Sequence, residues 1–198
     1  MTHHRTIALD LDSTLAASVE AALSRLPTDA TPSDVTDWYW GPERFGLATW
    51  LDAFWDIWRH DPLTVAPLEP DLDRLVSDLT DYGAVDIVTA HPDDERIDAG
   101  KRAWLEYHAI PHDAFVTVDT DASKLDLGYD WYIDDKPGLV EDATAHETTT
   151  VAADAHAGTD AIHVFVRDQP YNHRVTGTYT RVGTLAAVHP TQPAITIP

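Results

Sequence analysis

The chain has 198 residues, 43% of them hydrophobic, enough for one globular domain that buries a sizeable core. Its 34 Asp and Glu against 13 Lys and Arg give a formal net charge of −21, which makes nucleic-acid polymers and anionic membranes poor partners. There is no cysteine, so disulfides, thiolate zinc sites and cysteine nucleophiles are excluded. No run of about 18 apolar residues occurs, and Met1-Thr2-His3-His4-Arg5 lacks the apolar core of a signal peptide, so a cytoplasmic location is expected.

In chain order, Ile7, Ala8, Leu9 and Leu11 read as a buried strand of a parallel sheet. Asp10 and Asp12 leave its end on the same side, within roughly 7 Å of each other. Two acids that close need a cation, a shared proton or solvent. Asp12, Ser13 and Thr14 are also good N-caps for the helical pattern Ala16–Leu26. An aromatic stretch follows: Trp38, Tyr39, Trp40, Phe45, Trp50, Phe54, Trp55 and Trp58. Gly41-Pro42 is expected to open a helix there and Asp61-Pro62 to close it, with Leu47, Trp50, Leu51, Phe54 and Trp58 on one apolar face. Most of these rings read as packing. Trp38, Trp40 and Phe45, at the start and turn of the segment, are the candidates for stacking on a flat substrate.

After Pro70 strands and helices alternate. Leu72–Asp81, Asp93–His108 and Gly138–His146 read as helices; Ala84–Thr89, Ala114–Val118, Trp131–Ile133 and Ala161–Val166 read as strands. The pattern predicts a three-layer α/β/α, Rossmann-like domain with a parallel sheet and ligands at the carboxyl ends of its strands. Those ends carry Asp10 and Asp12, then Thr89 and Ala90 as an anion seat, then Asp119, Asp121 and Lys124, then Asp134-Asp135. Gln169-Pro170-Tyr171-Asn172 reads as a structural turn beside them. Residues 147–159 are expected to form an exposed loop, and the tail 185–198 carries no assignable pattern. A phosphate ester is repelled by so acidic a chain at long range, so a site for one needs local positive charge from a metal, a lysine or helix N-termini.

Asp10-x-Asp12-x-Thr14, a hydrophobic strand ending in Thr89, Lys124, and a strand ending in Asp134-Asp135 resemble the four motifs of haloacid dehalogenase (HAD) superfamily phosphatases. The run from Lys124 to Asp134-Asp135-Lys136, the helical insert after the first motif and Phe165-x-x-x-Gln169-Pro170-Tyr171-Asn172 resemble the 5′(3′)-deoxyribonucleotidases and their relatives, over roughly Ile7 to His173. The Asp-rich, Lys-poor composition resembles that of proteins from salt-loving archaea.

The resemblance implies a phosphatase core over 1–15 and 68–184 with a helical cap inserted at 16–67. It implies a magnesium-dependent phosphomonoesterase acting on a small phosphate ester, a (deoxy)nucleoside monophosphate first. Asp10 would be the nucleophile that becomes an aspartyl phosphate, and Asp12 the acid and base. Thr89, the N–H of Ala90 and Lys124 would hold the phosphoryl group; Asp10, Asp134, Asp135 and the carbonyl of Asp12 would hold the Mg2+. One departure stands out: Leu63, Thr64 and Val65 precede Pro67-Leu68-Glu69-Pro70 where those nucleotidases carry aromatic residues against the base. Two alternatives therefore stay open, another small phosphate ester and a non-catalytic metal- or nucleotide-binding module of the same fold.

Overall fold

The apolar runs pair into one seven-stranded sheet, seen in a computed structural model that describes residues 5–120, 123–153, 162–189 and 194–197. Six strands are parallel: β1 (Arg5–Leu9), β2 (Gly83–Ala90), β3 (Ala114–Val118), β4 (Trp131–Asp134), β5 (His163–Arg167) and β6 (Gly177–Val182). β7 (Ile195–Ile197) joins antiparallel beside β6, and the order across the sheet is β3-β2-β1-β4-β5-β6-β7.

Successive side chains of a strand go to opposite faces, and both faces here are apolar. Ile7, Leu9, Val85, Ile87, Ile133 and Phe165 enter one core. There they meet Leu75, Val76 and Leu79 of helix α4 (Leu72–Thr80) and Ile97, Trp104 and Leu105 of helix α5 (Glu95–Tyr107). Ala8, Val88, Tyr132, Val164 and Val166 enter the other, with Leu139, Val140 and Ala143 of helix α6 (Pro137–Ala153). The result is the expected three-layer α/β/α domain. β1 is central, with β2 on one side and β4 on the other, so the connections leaving β1 and β4 diverge and open a crevice at the carboxyl edge.

Between β1 and β2 lie three more helices: α1 (Ser18–Ser24), α2 (Trp40–Phe45) and α3 (Leu47–His60). The single helix expected from Gly41 to Asp61 is thus two, because Gly46 takes φ 85°, a left-handed value that interrupts the α conformation. The buried face of α3 is also rotated from the expected one. Ala53, Ile57 and Trp58 are buried and Trp50 and Phe54 partly so, while Leu47 is 60% exposed. Arg59 at the end of α3 donates to Asp94, the N-cap of α5, at 2.8 Å.

The expected loop at 147–159 is helical as far as Ala153, and its remainder lies outside the described residues. The last parallel strand, β6, is absent from the sequence reading. Residues 168–176 connect it to β5 with a single 3-10 turn, Pro170–Asn172, where the alternating pattern leads one to look for a helix. The unassigned tail contributes Leu185 and Val188 to the larger core and β7 to the sheet edge. Among the described residues no helix is long and apolar enough to cross a membrane.

Candidate active site

β1 pairs with β4 up to Ile133, and the N–H of Asp10 makes the last bond, to the Ile133 carbonyl at 2.9 Å. The chain then turns on itself. The N–H groups of Leu15 and Ala16 both donate to the Leu11 carbonyl, and Ser13 sits in the left-handed region at φ 58°. This turn leaves Asp10 and Asp12 at the mouth of the crevice with different surroundings.

Asp10 belongs to an acidic cluster. Asp134, the last residue of β4, and Asp135 join it, each offering a carboxylate oxygen within 4.8 Å of the others, and all three are buried. Lys124 comes from the 3-10 turn after β3 and donates to Asp10 Oδ1 and Asp134 Oδ2, both at 2.6 Å. Asp134 uses its second oxygen to accept the N–H of Lys136 at 2.8 Å, closing the turn into α6. Asp135 accepts hydrogen bonds from Thr14 Oγ1 at 3.3 Å and from the Tyr171 hydroxyl. Tyr171 stands on the 3-10 turn between β5 and β6, which is itself fastened to the site. Gln169 Nε2 donates to the Ser13 carbonyl at 2.7 Å, and Asn172 Nδ2 to the carbonyls of Arg167 and Asp135. The structural reading of Gln169-Pro170-Tyr171-Asn172 agrees with these bonds, and Tyr171 in addition touches an acid of the cluster.

Electrostatics follow from packing carboxylates together out of water. Burial, with the neighbouring charges of Asp134 and Asp12, raises Asp10 from 3.8 to about 7 against the pull of Lys124. Asp135 is raised well above the usual carboxylate range by burial and by the charges of Asp10 and Asp134, with Tyr171 and Lys124 opposing. Burial acts to lower Lys124, but the charges of Asp10 and Asp134 outweigh it and raise the lysine. One ammonium does not neutralise three buried carboxylates, so the cluster wants protons or a cation.

Asp12 faces donors instead. Its Oδ1 accepts from Ser18 Oγ at 2.7 Å and from Trp58 Nε1 at 2.9 Å; its Oδ2 accepts from Lys101 Nζ at 2.5 Å. Thr89, fully buried at the end of β2, accepts from the same Lys101 Nζ at 2.7 Å and lies 3.4 Å from Asp12 Oδ2. Ala90 is the last residue of β2. The His91 N–H donates to Val118 on β3, so by strand alternation the Ala90 N–H points to the β1 side, and β1 made its last pair there at Leu9 with Ile87. The helix expected to begin beside this N–H starts only at Glu95. His91 is buried, and burial and Lys101 hold its pKa below the usual value.

The structure therefore brings Asp10, Asp12, Thr89, Ala90, Lys124, Asp134 and Asp135 to one crevice. Of the three candidate stacking residues, Trp38 is exposed and meets the ring of Tyr171 edge-on at 5.7 Å, beside the acidic cluster. Trp40 and Phe45 pack instead on each other and on Trp50. Trp40 and Arg44 also line a cavity of ≈ 310 Å³ with Asp29 and Asp34. Asp119 lies on a second cavity of ≈ 350 Å³ with His91, Asp94 and Asp98, and Asp121 falls outside the described residues. Sequence reasoning missed Lys101, Trp58 and Ser18 as site residues, and it placed Tyr171 beside the site only as part of a structural turn. Lys101 could have been found: it shares a helix face with Ile97, Trp104 and Leu105, and a lysine on an apolar face needs a partner.

No protein-family model and no curated protein matches the sequence. A solved structure does match: a protein of Burkholderia xenovorans LB400, provisionally assigned as a haloacid dehalogenase-like hydrolase, superposes with a TM-score of 0.52. The match covers 92% of this chain and 94% of that one, at 12% sequence identity. The likeness is one of fold: the chain shares the three-layer α/β/α architecture of that protein.

Proposed function

We propose that this chain is a phosphomonoesterase working through an aspartyl phosphate on Asp10, with residues 16–67 as a helical cap over a catalytic core. The observation that carries the reading is Lys124, a buried ammonium bonded at once to Asp10 and Asp134 at the topological switch point of the sheet. The donor set fits a magnesium ion: three buried hard oxygen ligands whose charge exceeds that of the one ammonium among them. Asp10, Asp134 and Asp135 would hold the ion, with the Asp12 carbonyl as a fourth ligand by the family resemblance. Bound there, it supplies the positive charge that lets an anionic carboxylate approach an anionic phosphate.

The residues divide the chemistry between them. Asp10 attacks phosphorus, and the ester oxygen leaves with a proton delivered by Asp12. Asp12, now deprotonated, then takes a proton from a water whose oxygen bonds to phosphorus as the bond to Asp10 breaks, which releases phosphate, restores the Asp10 carboxylate and reprotonates Asp12. Lys124, the Thr89 hydroxyl and the Ala90 N–H balance the charge on the transferring phosphoryl oxygens. Trp38, exposed beside the acidic cluster, offers a face for the base of a (deoxy)nucleoside monophosphate, our first choice of substrate.

A second reading, a phosphate ester without a base, draws on the aliphatic Leu63, Thr64 and Val65 before Leu68-Glu69-Pro70. A panel of nucleotides and sugar phosphates in molar KCl with magnesium separates the two by relative kcat/KM. Asp10→Asn should lower turnover about a thousandfold or more with the fold intact. A variant keeping a tenth of wild-type turnover would exclude covalent catalysis through Asp10, and a wild type inert on every ester would exclude a phosphatase.

A further inference from the structure

We propose that Lys101 is a positioning residue for Asp12, holding its carboxylate where it transfers the proton; the inference rests on the acid–base role given to Asp12 above. Lys101 has no exposed surface. Two of its donor bonds go to Asp12 Oδ2 and Thr89 Oγ1, and its Nζ lies 5.4 and 5.6 Å from the ring centroids of Trp55 and Trp58. The other oxygen of Asp12 is held by Ser18 and Trp58. Donors from α1, α3 and α5 thus converge on one carboxylate, and rotation about its side-chain bonds breaks at least two of these bonds.

An ammonium is costly to bury, and an unbranched apolar side chain of similar length would fill the same space without that desolvation. What the ammonium adds is a fixed position. The placement of the lysine is itself built in. A Cβ on the neighbouring Gly100 would lie 1.9 Å from the Trp58 carbonyl oxygen, so α5 and α3 touch backbone to backbone at this level. That contact brings Lys101 and the Trp58 indole to the same carboxylate. Thr89 in turn accepts from Nζ at 2.7 Å and donates its own hydroxyl hydrogen toward Asp12 Oδ2 at 3.4 Å, which fixes the lysine and the carboxylate from the core side.

A carboxylate displaced by about 1 Å loses on the order of a hundredfold in proton transfer. Lys101→Met, which keeps the length of the stem, should therefore lower kcat about a hundredfold on an unactivated alkyl phosphate. On p-nitrophenyl phosphate, whose leaving group needs little protonation, it should lose less than about threefold, with KM unchanged on both. The loss should disappear in the Asp12→Asn background, because the two residues act as one unit. Trp58→Phe keeps an aromatic ring, though a smaller one, and removes one donor, and it should show the same selectivity at about a tenth of the size. It carries the test if the methionine variant does not fold. Equal losses on both esters in whichever variant folds would overturn the proposal.

A readout independent of turnover separates this inference from the phosphatase reading. The Trp58 indole N–H resonance, assigned by its disappearance in Trp58→Phe, should move in Lys101→Met as Asp12 leaves its place. An unmoved resonance means that Asp12 stays put without the lysine, and the proposal falls even if the enzyme hydrolyses phosphate esters. A moved resonance with no hydrolysis of any ester would reject the phosphatase reading and keep the anchoring of Asp12.

Discussion

Metal-free protein should lose stability as the pH rises through neutrality, and Asp10 is the group responsible. Its carboxyl is raised from 3.8 to about 7, by burial first and then by Asp134 and Asp12. A carboxyl raised on folding keeps its proton more tightly in the native state. Its contribution to stability is therefore complete below pH 3.8 and is lost as the pH climbs through about 7. Over that interval the native state gives up on the order of 4 kcal/mol, most of it between pH 5 and pH 8. Asp10→Asn cannot titrate and retains the same background of surface carboxylates, so wild type minus variant isolates the effect. Asp135 adds to the difference in the same direction, because part of its own upward shift comes from Asp10. The assay is urea unfolding in molar KCl with chelator, at pH steps from 5 to 8. Relative to the variant, the wild-type midpoint should fall by about 1–2 M urea across the series. Millimolar magnesium should flatten the wild-type slope, since a bound cation keeps the carboxylates ionised. Parallel lines for wild type and variant without metal, or a wild type that gains on the variant with rising pH, would refute the reasoning.

Melting temperature should climb steadily with KCl up to molar concentrations, because −21 formal charges repel across a Debye length of ~30 Å at 0.01 M but only ~3 Å at 1 M; a flat series removes the halophile reading. Gly100→Ala drives a methyl group against the Trp58 carbonyl, which is backbone and cannot rotate away. Overpacking of about 2 kcal/mol or more should lower the melting temperature by about 5 °C, read by calorimetry, and an unchanged value would mean that α3 and α5 sit farther apart. Trp38→Ala should leave the melting temperature within about 2 °C and raise KM for nucleoside monophosphates about tenfold, the value of one lost stacking contact. The same rise for a sugar phosphate would show that no base is stacked there.

The parallel sheet and the carboxyl-edge acids were legible because each depends on local chemistry. Buried strands are apolar on both faces, and Asp10, Thr89, Lys124 and Asp134-Asp135 each follow such a strand or precede one. What stayed hidden depends on distant partners. β6, Gly177–Val182, mixes Thr and Arg with one buried tyrosine, Tyr179, so its run looks like a loop until it lies beside β5. The helix from Pro137 to Ala153 continues through three successive threonines, where weak local propensity is overridden. Leu47 and Leu51 continue the apolar spacing of α3 yet face outward, because the seam with α5 is set where Gly100 meets the Trp58 carbonyl, and a glycine's small size permits contact rather than announcing it. Lys101 and Trp58 gain their meaning only when α5 and α3 cross above Asp12.

Of the three lysines in the chain, Lys101 and Lys124 are sealed inside and Lys136 is half-buried. An amine-reactive reagent meeting the native fold therefore has one accessible lysine side chain to modify. Labelling of Lys101 has to wait for the α3–α5 seam to part, and labelling of Lys124 for the loops around β1 and β4 to lift. When opening is fast relative to labelling, the two rates measure two separate local opening equilibria. The scarcity of lysine turns ordinary acylation, followed by peptide mass analysis, into a site-resolved gauge of how often each half of the crevice breathes.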